Sequence, residues 1–115
     1  MSEALTAFRA SLHGSSHRFS DTLAFIDDHY LYQPSGFANG DVENAAGENV
    51  GSCKTLGLAL LEGFSTEEAL LAFAEHYQAV LATPNGEDHR NIRALMQTGL
   101  AGVRFESLPL THKPA

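Results

Sequence analysis

Apolar residues at Leu5, Phe8 and Leu12 repeat at the spacing of one helix face, and Gly14-Ser15-Ser16 ends the pattern. This predicts a first helix following a cap at Ser2. A second helix is predicted from a cap at Ser20 to about His29, with Leu23, Ile26 and Tyr30 inward and Asp21 at the positive end of the helix dipole. Pro34 disfavours helix at Gln33, and 31–37, which contains Tyr32 and Phe37, is read as an irregular edge strand. From Asn39 to Gly51 no period survives. The stretch is dense in Asn, Gly and Ala and reads as an ordered loop or one half-turn of helix. Ser52 is then expected to cap a third helix to about Glu62, with Leu56, Leu60 and Leu61 inward and Gly63 as its left-handed stop.

Ser65-Thr66-Glu67-Glu68 has the form of a capping box, in which the Ser65 hydroxyl and the Glu68 carboxylate each accept from the other's backbone amide. The fourth helix begins there, buries Leu70, Phe73, Tyr77, Val80 and Leu81, and ends in the turn Thr83-Pro84-Asn85-Gly86. Asp88 is expected to cap a fifth helix with Ile92, Leu95 and Met96 inward and Gly99 closing it. Val103-Arg104-Phe105-Glu106 alternates with the period of a half-buried strand, and its expected partner is 31–37. The resulting ribbon is marginal alone and needs helices packed on it. The fold class is therefore α+β, predominantly α, with about five short helices around a small two-stranded ribbon. A single domain is expected over 1–115, with an ordered core at about 3–107 and a loose tail from 108 to 115.

Composition narrows the function classes. A chain of 115 residues suits one hydrophobic core, and with 43% hydrophobic and 18% charged residues it is too apolar to stay disordered. Seven Lys and Arg against fourteen Asp and Glu give a formal charge of −7, the wrong sign for nucleic acid or an anionic membrane. The single cysteine permits no internal disulfide and no Cys-rich metal site, which fits a reducing compartment. No apolar run reaches membrane-spanning length, and the N-terminus lacks the basic-then-apolar order of a secretory signal. A soluble, cytoplasmic protein is expected.

Two polar regions can carry chemistry. In the first, Asn39, Asn44 and Asn49 approach Gly51-Ser52-Cys53-Lys54 at a helix start, where free amides and the Lys54 charge could hold an anion. Gly51 and Lys54 are separated by two residues, so the stretch is not a P-loop. The competing reading is that these Asn and Gly residues satisfy their own loop and cap the helix. Cys53 shares that helix start, where a thiolate would be stabilised and could act as a nucleophile, with His89 or His76 as base. The alternative makes Cys53 a small buried hydrophobe beside Leu56 and Leu60. The second region is Asp88-His89-Arg90-Asn91-Ile92-Arg93. His89 and Arg93 are four apart on one face, and with Asn91 they form either a pocket lining or an ordinary solvated helix start. Asp27-Asp28-His29, Glu75-His76 and Asp88-His89 have no metal-ligand spacing, so neither a metal nor another cofactor is assigned. His13, His17 and His112 fall in loop or terminal contexts and are expected to be exposed.

Four segments taken in order carry a family resemblance: Phe37-x-Asn39-Gly40; Asn44-Ala45-Ala46-Gly47-x-Asn49-x-Gly51-Ser52-Cys53-Lys54; Thr83-Pro84-x-Gly86-x-Asp88-His89-x-Asn91-Ile92-Arg93; and Gly99-x-x-Gly102-Val103-x-Phe105. The sequence resembles the HopJ type III effector family from about Leu5 to Phe105, with Leu100 where the family commonly has an aromatic residue. The resemblance implies delivery into a host cell by type III secretion and attaches no reaction to the name. A first helix so close to Met1 leaves little room for an export leader, so a resident cytoplasmic relative is the expectation.

Two functions follow. One is a pocket for a small anionic or amide-containing ligand, where the 39–54 loop meets the start of the fifth helix. Asn39, Asn44, Asn49, Ser52 and Asn91 would orient the ligand, Lys54 and Arg93 would hold its charge, and Cys53 or His89 would react. The other is a non-enzymatic adaptor that presents an apolar surface to a protein partner.

Overall fold

The computed structural model describes residues 3–114. Six helices surround two small antiparallel sheets: α1 Glu3–Ser11, α2 Phe19–His29, α3 Val50–Glu62, α4 Thr66–Ala72, α5 Glu75–Ala82 and α6 Arg90–Thr98. The strands are β1 Tyr30–Tyr32, β2 Phe37–Asn39, β3 Val42–Asn44, β4 Val103–Phe105 and β5 Leu110–His112, and a short 3-10 turn covers Leu100–Gly102. The architecture is α+β and mostly α. The Ser2 cap lies outside the described residues.

Helix α3 is the centre of the packing. Cys53, Thr55, Leu56, Gly57, Leu58 and Ala59 are all buried, so it is apolar on nearly every side, as a helix enclosed by other elements must be. Around it the core gathers Leu5 and Phe8 of α1, Ile26 of α2, Leu70 of α4, Val80 of α5 and Leu95 of α6. Gly63 ends α3 in the left-handed region at φ 70°, where glycine has no Cβ penalty.

The strand pairing differs from the expected ribbon. Phe37 does face Phe105, but β2 is the middle strand of the order β3-β2-β4, so most of 31–37 lies elsewhere. The stretch expected as loop supplies a hairpin, with β2 and β3 joined through Gly40 at φ 59° and Asp41. Such a turn needs positive φ at its first position, and Gly40 supplies it. The other pair is β1 with β5, in the register Tyr30↔His112, Leu31↔Thr111 and Tyr32↔Leu110. The expected loose tail is thus docked as far as β5. Pro109 and Leu110 are fully buried, and Leu110 alone adds about 1.5–3 kcal/mol of burial. Gly57 explains the close approach, since a Cβ there would stand 2.6 Å from Pro109 Cγ.

Helix starts also moved. α2 begins at Phe19 rather than after a Ser20 cap. The Phe19 amide donates to Glu75 of α5 at 2.7 Å, and Asp21 accepts from the Arg18 amide at 3.0 Å. The long fourth helix breaks at Ala74, which has φ 53° and ψ −120°, into α4 and α5. That break carries Glu75 to the α2 start and leaves Leu81 exposed. Ser65 and Glu68 form the expected capping box, at 3.1 and 3.0 Å. The cap positions of α3 and α6 are Asn49 and His89, so Ser52 lies inside its helix and Asp88 outside the cap position. Met96, expected inward on α6, is 43% exposed. His17 is half-buried rather than exposed.

Candidate functional site

The two polar regions singled out in the sequence meet. A cleft of about 820 Å³ runs between β3, the start of α3 and the start of α6, and Phe19, Phe73 and His76 close it from the side. Asn44, Asn91, Phe73 and Ile92 are its buried base, Gly51, Ser52, His76 and His89 are half-buried walls, and Glu43, Glu48, Glu87 and Arg90 stand exposed at the mouth.

Under the base is a network of side-chain amides. Asn44 and Asn91 pair reciprocally, Asn91 Nδ2 donating to Asn44 Oδ1 at 3.0 Å and Asn44 Nδ2 to Asn91 Oδ1 at 3.2 Å. Asn39 Nδ2 donates to the Asn91 carbonyl at 2.7 Å and to its Oδ1 at 3.1 Å, and Asn49 Nδ2 donates to Asn44 Oδ1 at 2.5 Å. These bonds tie β2, β3 and the α3 start to α6. Buried amides left unmade would each cost about 1–3 kcal/mol, so the network fixes the relative position of the cleft walls. Asn39 Oδ1 is buried and accepts no hydrogen bond. Asn39 and Asn44 therefore bond chiefly to Asn91 of α6, rather than to their own loop or as a cap on α3.

Both helix starts at the cleft have unusual backbone. Asn49 (φ 48°, ψ 52°) and His89 (φ 50°, ψ 49°) occupy the left-handed region as the residues preceding α3 and α6, and neither helix has a side-chain cap. With Ala74, they are the three non-glycine residues of positive φ among those described, and each immediately precedes a helix whose first turn lines this cleft. Asn and His are among the residue types that tolerate that region, which is the one sequence signal that marked these positions.

The expected cations are not in the cleft lining. Lys54 Nζ binds Asp27 Oδ1 of α2 at 2.9 Å and lies 5.0 Å from the centre of the Tyr32 ring. Arg93 is spent on the preceding turn, donating to Thr83 O at 2.8 Å, Asp88 O at 2.5 Å and Asp88 Oδ1 at 2.6 Å. The hydrogen bond from Arg93 holds the Asp88 carboxyl below its usual value. Arg90 is the only Lys or Arg of the lining, so the expectation of a positively lined hollow is corrected to a predominantly acidic mouth.

Cys53 is fully buried, and its thiol donates to Ser35 O at 3.8 Å. Burial pushes that thiol up from its ordinary value, opposite to what a nucleophile requires. No hydrogen bond joins it to His89 or His76 among the described residues, and the buried-hydrophobe reading replaces the nucleophile. His89 does line the cleft, where its ring lies 5.1 Å from that of His76, centre to centre. Among the described residues no group of three or more His, Cys, Asp or Glu side chains could hold a metal. Phe19, Phe73, Glu43, Glu48 and Glu87 escaped the sequence reading because four separate segments contribute them.

The class defined by this fold and sequence is that of the HopJ type III effector proteins, whose family model matches residues 5–110. The chain belongs to that family. A solved structure described as an unknown function protein, VPA0580, is 39% identical, covers 98% of this chain and 97% of its own, and superposes with a TM-score of 0.90. A search of the curated proteins gave no match. No helix among the described residues is long and apolar enough to cross a membrane.

Proposed function

We propose that the protein binds a small polar ligand in the cleft between the 42–52 segment and the start of α6, with an acceptor group of the ligand, a carboxylate or amide carbonyl, at the first-turn amides of α3 and α6. The observation that carries this reading is the concentration of positive-φ residues at helix starts around one cleft. Asn49, Ala74 and His89 each hold a conformation costing on the order of 1–3 kcal/mol, and such strain collects where a site must be shaped. At α3 and α6 the first-turn amides lack a side-chain cap, and uncapped helix starts favour an acceptor or anion. Of the expected ligand residues Asn44, Asn49, Ser52 and Asn91 line the cleft, and so does His89, expected as a reacting residue. Asn39, Asn44 and Asn91 hold the walls in place, while Lys54, Arg93 and Cys53 serve the fold.

The test is a titration of the isotopically labelled protein with a panel of small carboxylates, phosphates and primary amides, followed by backbone amide shifts. Saturable shifts centred on residues 50–52 and 90–92, with a raised melting temperature, are expected. A panel that leaves those amides unmoved ends the reading.

The adaptor reading has its own support. Leu31, Leu81, Met96 and Leu108 are 41–51% exposed, and the buried amides satisfy one another rather than reaching into the cleft. Under that reading the family's role passes through a protein partner and the cleft is incidental.

A further inference from the structure

We propose that the ligand of this cleft also carries an organic cation, an ammonium or guanidinium, at the end remote from the helix amides. The inference rests on the cleft reading above and adds the ligand's charge class.

Two features of the cleft support it independently. The first is an aromatic wall. Phe19 stacks on Phe73 with ring centres 5.8 Å apart, His76 meets the Phe19 ring edge-on at 5.0 Å, and His76 lies 5.1 Å from His89. Phe19, His76 and His89 stand half-buried along the cleft, and Phe73, itself buried, backs the Phe19 ring. The face of an aromatic ring is electronegative, so it attracts a cation and repels an anion. Gly51 keeps the wall in position, because a Cβ there would stand 3.0 Å from Phe19 Cζ.

The second is the charge of the mouth. Glu43, Glu48 and Glu87 line it, and among the described residues none of the three has a basic partner, whereas Asp88 is paired with Arg93. Glu48 uses one carboxylate oxygen to accept from the Ala45 amide at 2.8 Å. Three carboxylates around one opening repel one another, and Arg90 alone does not balance them. A cation between them relieves that repulsion, while a neutral ligand leaves it and an anion adds to it. The helix amides need an acceptor and the wall and mouth need a cation, so the fitting ligand is bipolar, with the two groups at opposite ends of a short chain.

Three probes separate the terms: 5-aminopentanoate, which carries both ends; pentanoate, which has only the acceptor; and pentylammonium, which has only the cation. Each is titrated by calorimetry and amide shifts into the intact protein and into the triple variant E43Q/E48Q/E87Q, whose exposed sites leave the core untouched. The bipolar probe is expected to shift amides 50–52 and 90–92 and to bind at least about tenfold more tightly than pentanoate. The triple variant should erase most of that advantage, and added salt should weaken the wild type. Equal binding of pentanoate and 5-aminopentanoate, or unchanged binding by the variant, overturns the cationic class and leaves the cleft reading standing. Failure of all three probes to move any cleft amide overturns both.

Discussion

The starts of α4 and α6 solve the same physical problem in opposite ways. At α4, Ser65 and Glu68 satisfy each other's amides, and Arg9 clamps the Glu68 carboxylate through a two-pronged contact of 2.9 and 2.7 Å. The Arg9 hydrogen bond holds that carboxyl below its ordinary value. At α6 the preceding residue, His89, is left-handed and offers no cap, and the first turn opens on the cleft. The first arrangement stabilises the fold. The second gives up stability at the place where the molecule is concave, which is the pattern expected where a binding surface competes with packing.

Breaking the amide network should have the largest effect. Asn91→Ala removes side-chain partners from both Asn39 and Asn44, though the Asn91 carbonyl still accepts from Asn39, and is expected to cost about 2–4 kcal/mol in urea unfolding, together with loss of any ligand-induced amide shifts. A cost below about 0.5 kcal/mol would mean that the network does not fix the cleft walls.

The two helix starts should then respond with opposite signs. Ser65→Ala is expected to lose about 1 kcal/mol through the lost cap. His89→Gly removes the left-handed penalty and is expected to gain up to about 1 kcal/mol while weakening ligand binding. Destabilisation by both substitutions would erase the contrast between them.

A smaller effect belongs to pH. Thr22 donates its hydroxyl proton to Ala72 O at 2.7 Å, so at 2.8 Å from its Oγ1 the His17 Nε2 is the donor, a role either protonation state of the ring fills. Burial lowers the His17 value below 6.5, against the opposing fields of Asp21 and Glu75. The unfolded chain therefore takes up the proton first. This contribution to stability is complete above the ordinary imidazole value and is lost as pH falls from there toward the lower folded value. His17→Gln should flatten that part of the stability profile, and an unchanged slope would assign it to other groups.

The least perturbing probe is chemical. Native Cys53 should resist iodoacetamide and react once denatured, because its sulfur is buried and its thiol form is favoured. Rapid native labelling would reopen the nucleophile.

Local chemistry carried much of this molecule. The Ser65–Glu68 box, the Gly63 and Gly99 stops, the Thr83–Gly86 turn and the strand at Val103 depend on residues within a few positions of one another, so they were readable along the chain. The meeting of the 39–54 stretch with the start of α6 was one of two readings left open along the chain, and the cations that favoured it, Lys54 and Arg93, pair elsewhere. What the chain could not announce was set by distant partners. Glu75 caps α2 from 56 residues away, Pro109 seats against Gly57, and Asp27 and Asp88 draw Lys54 and Arg93 away from the cleft lining. A cation's target depends on which carboxylate folding brings nearest, and an uncapped amide is recognised only when no side chain arrives to fill it. For that reason the sequence located the hollow, and the tertiary structure decided its charge.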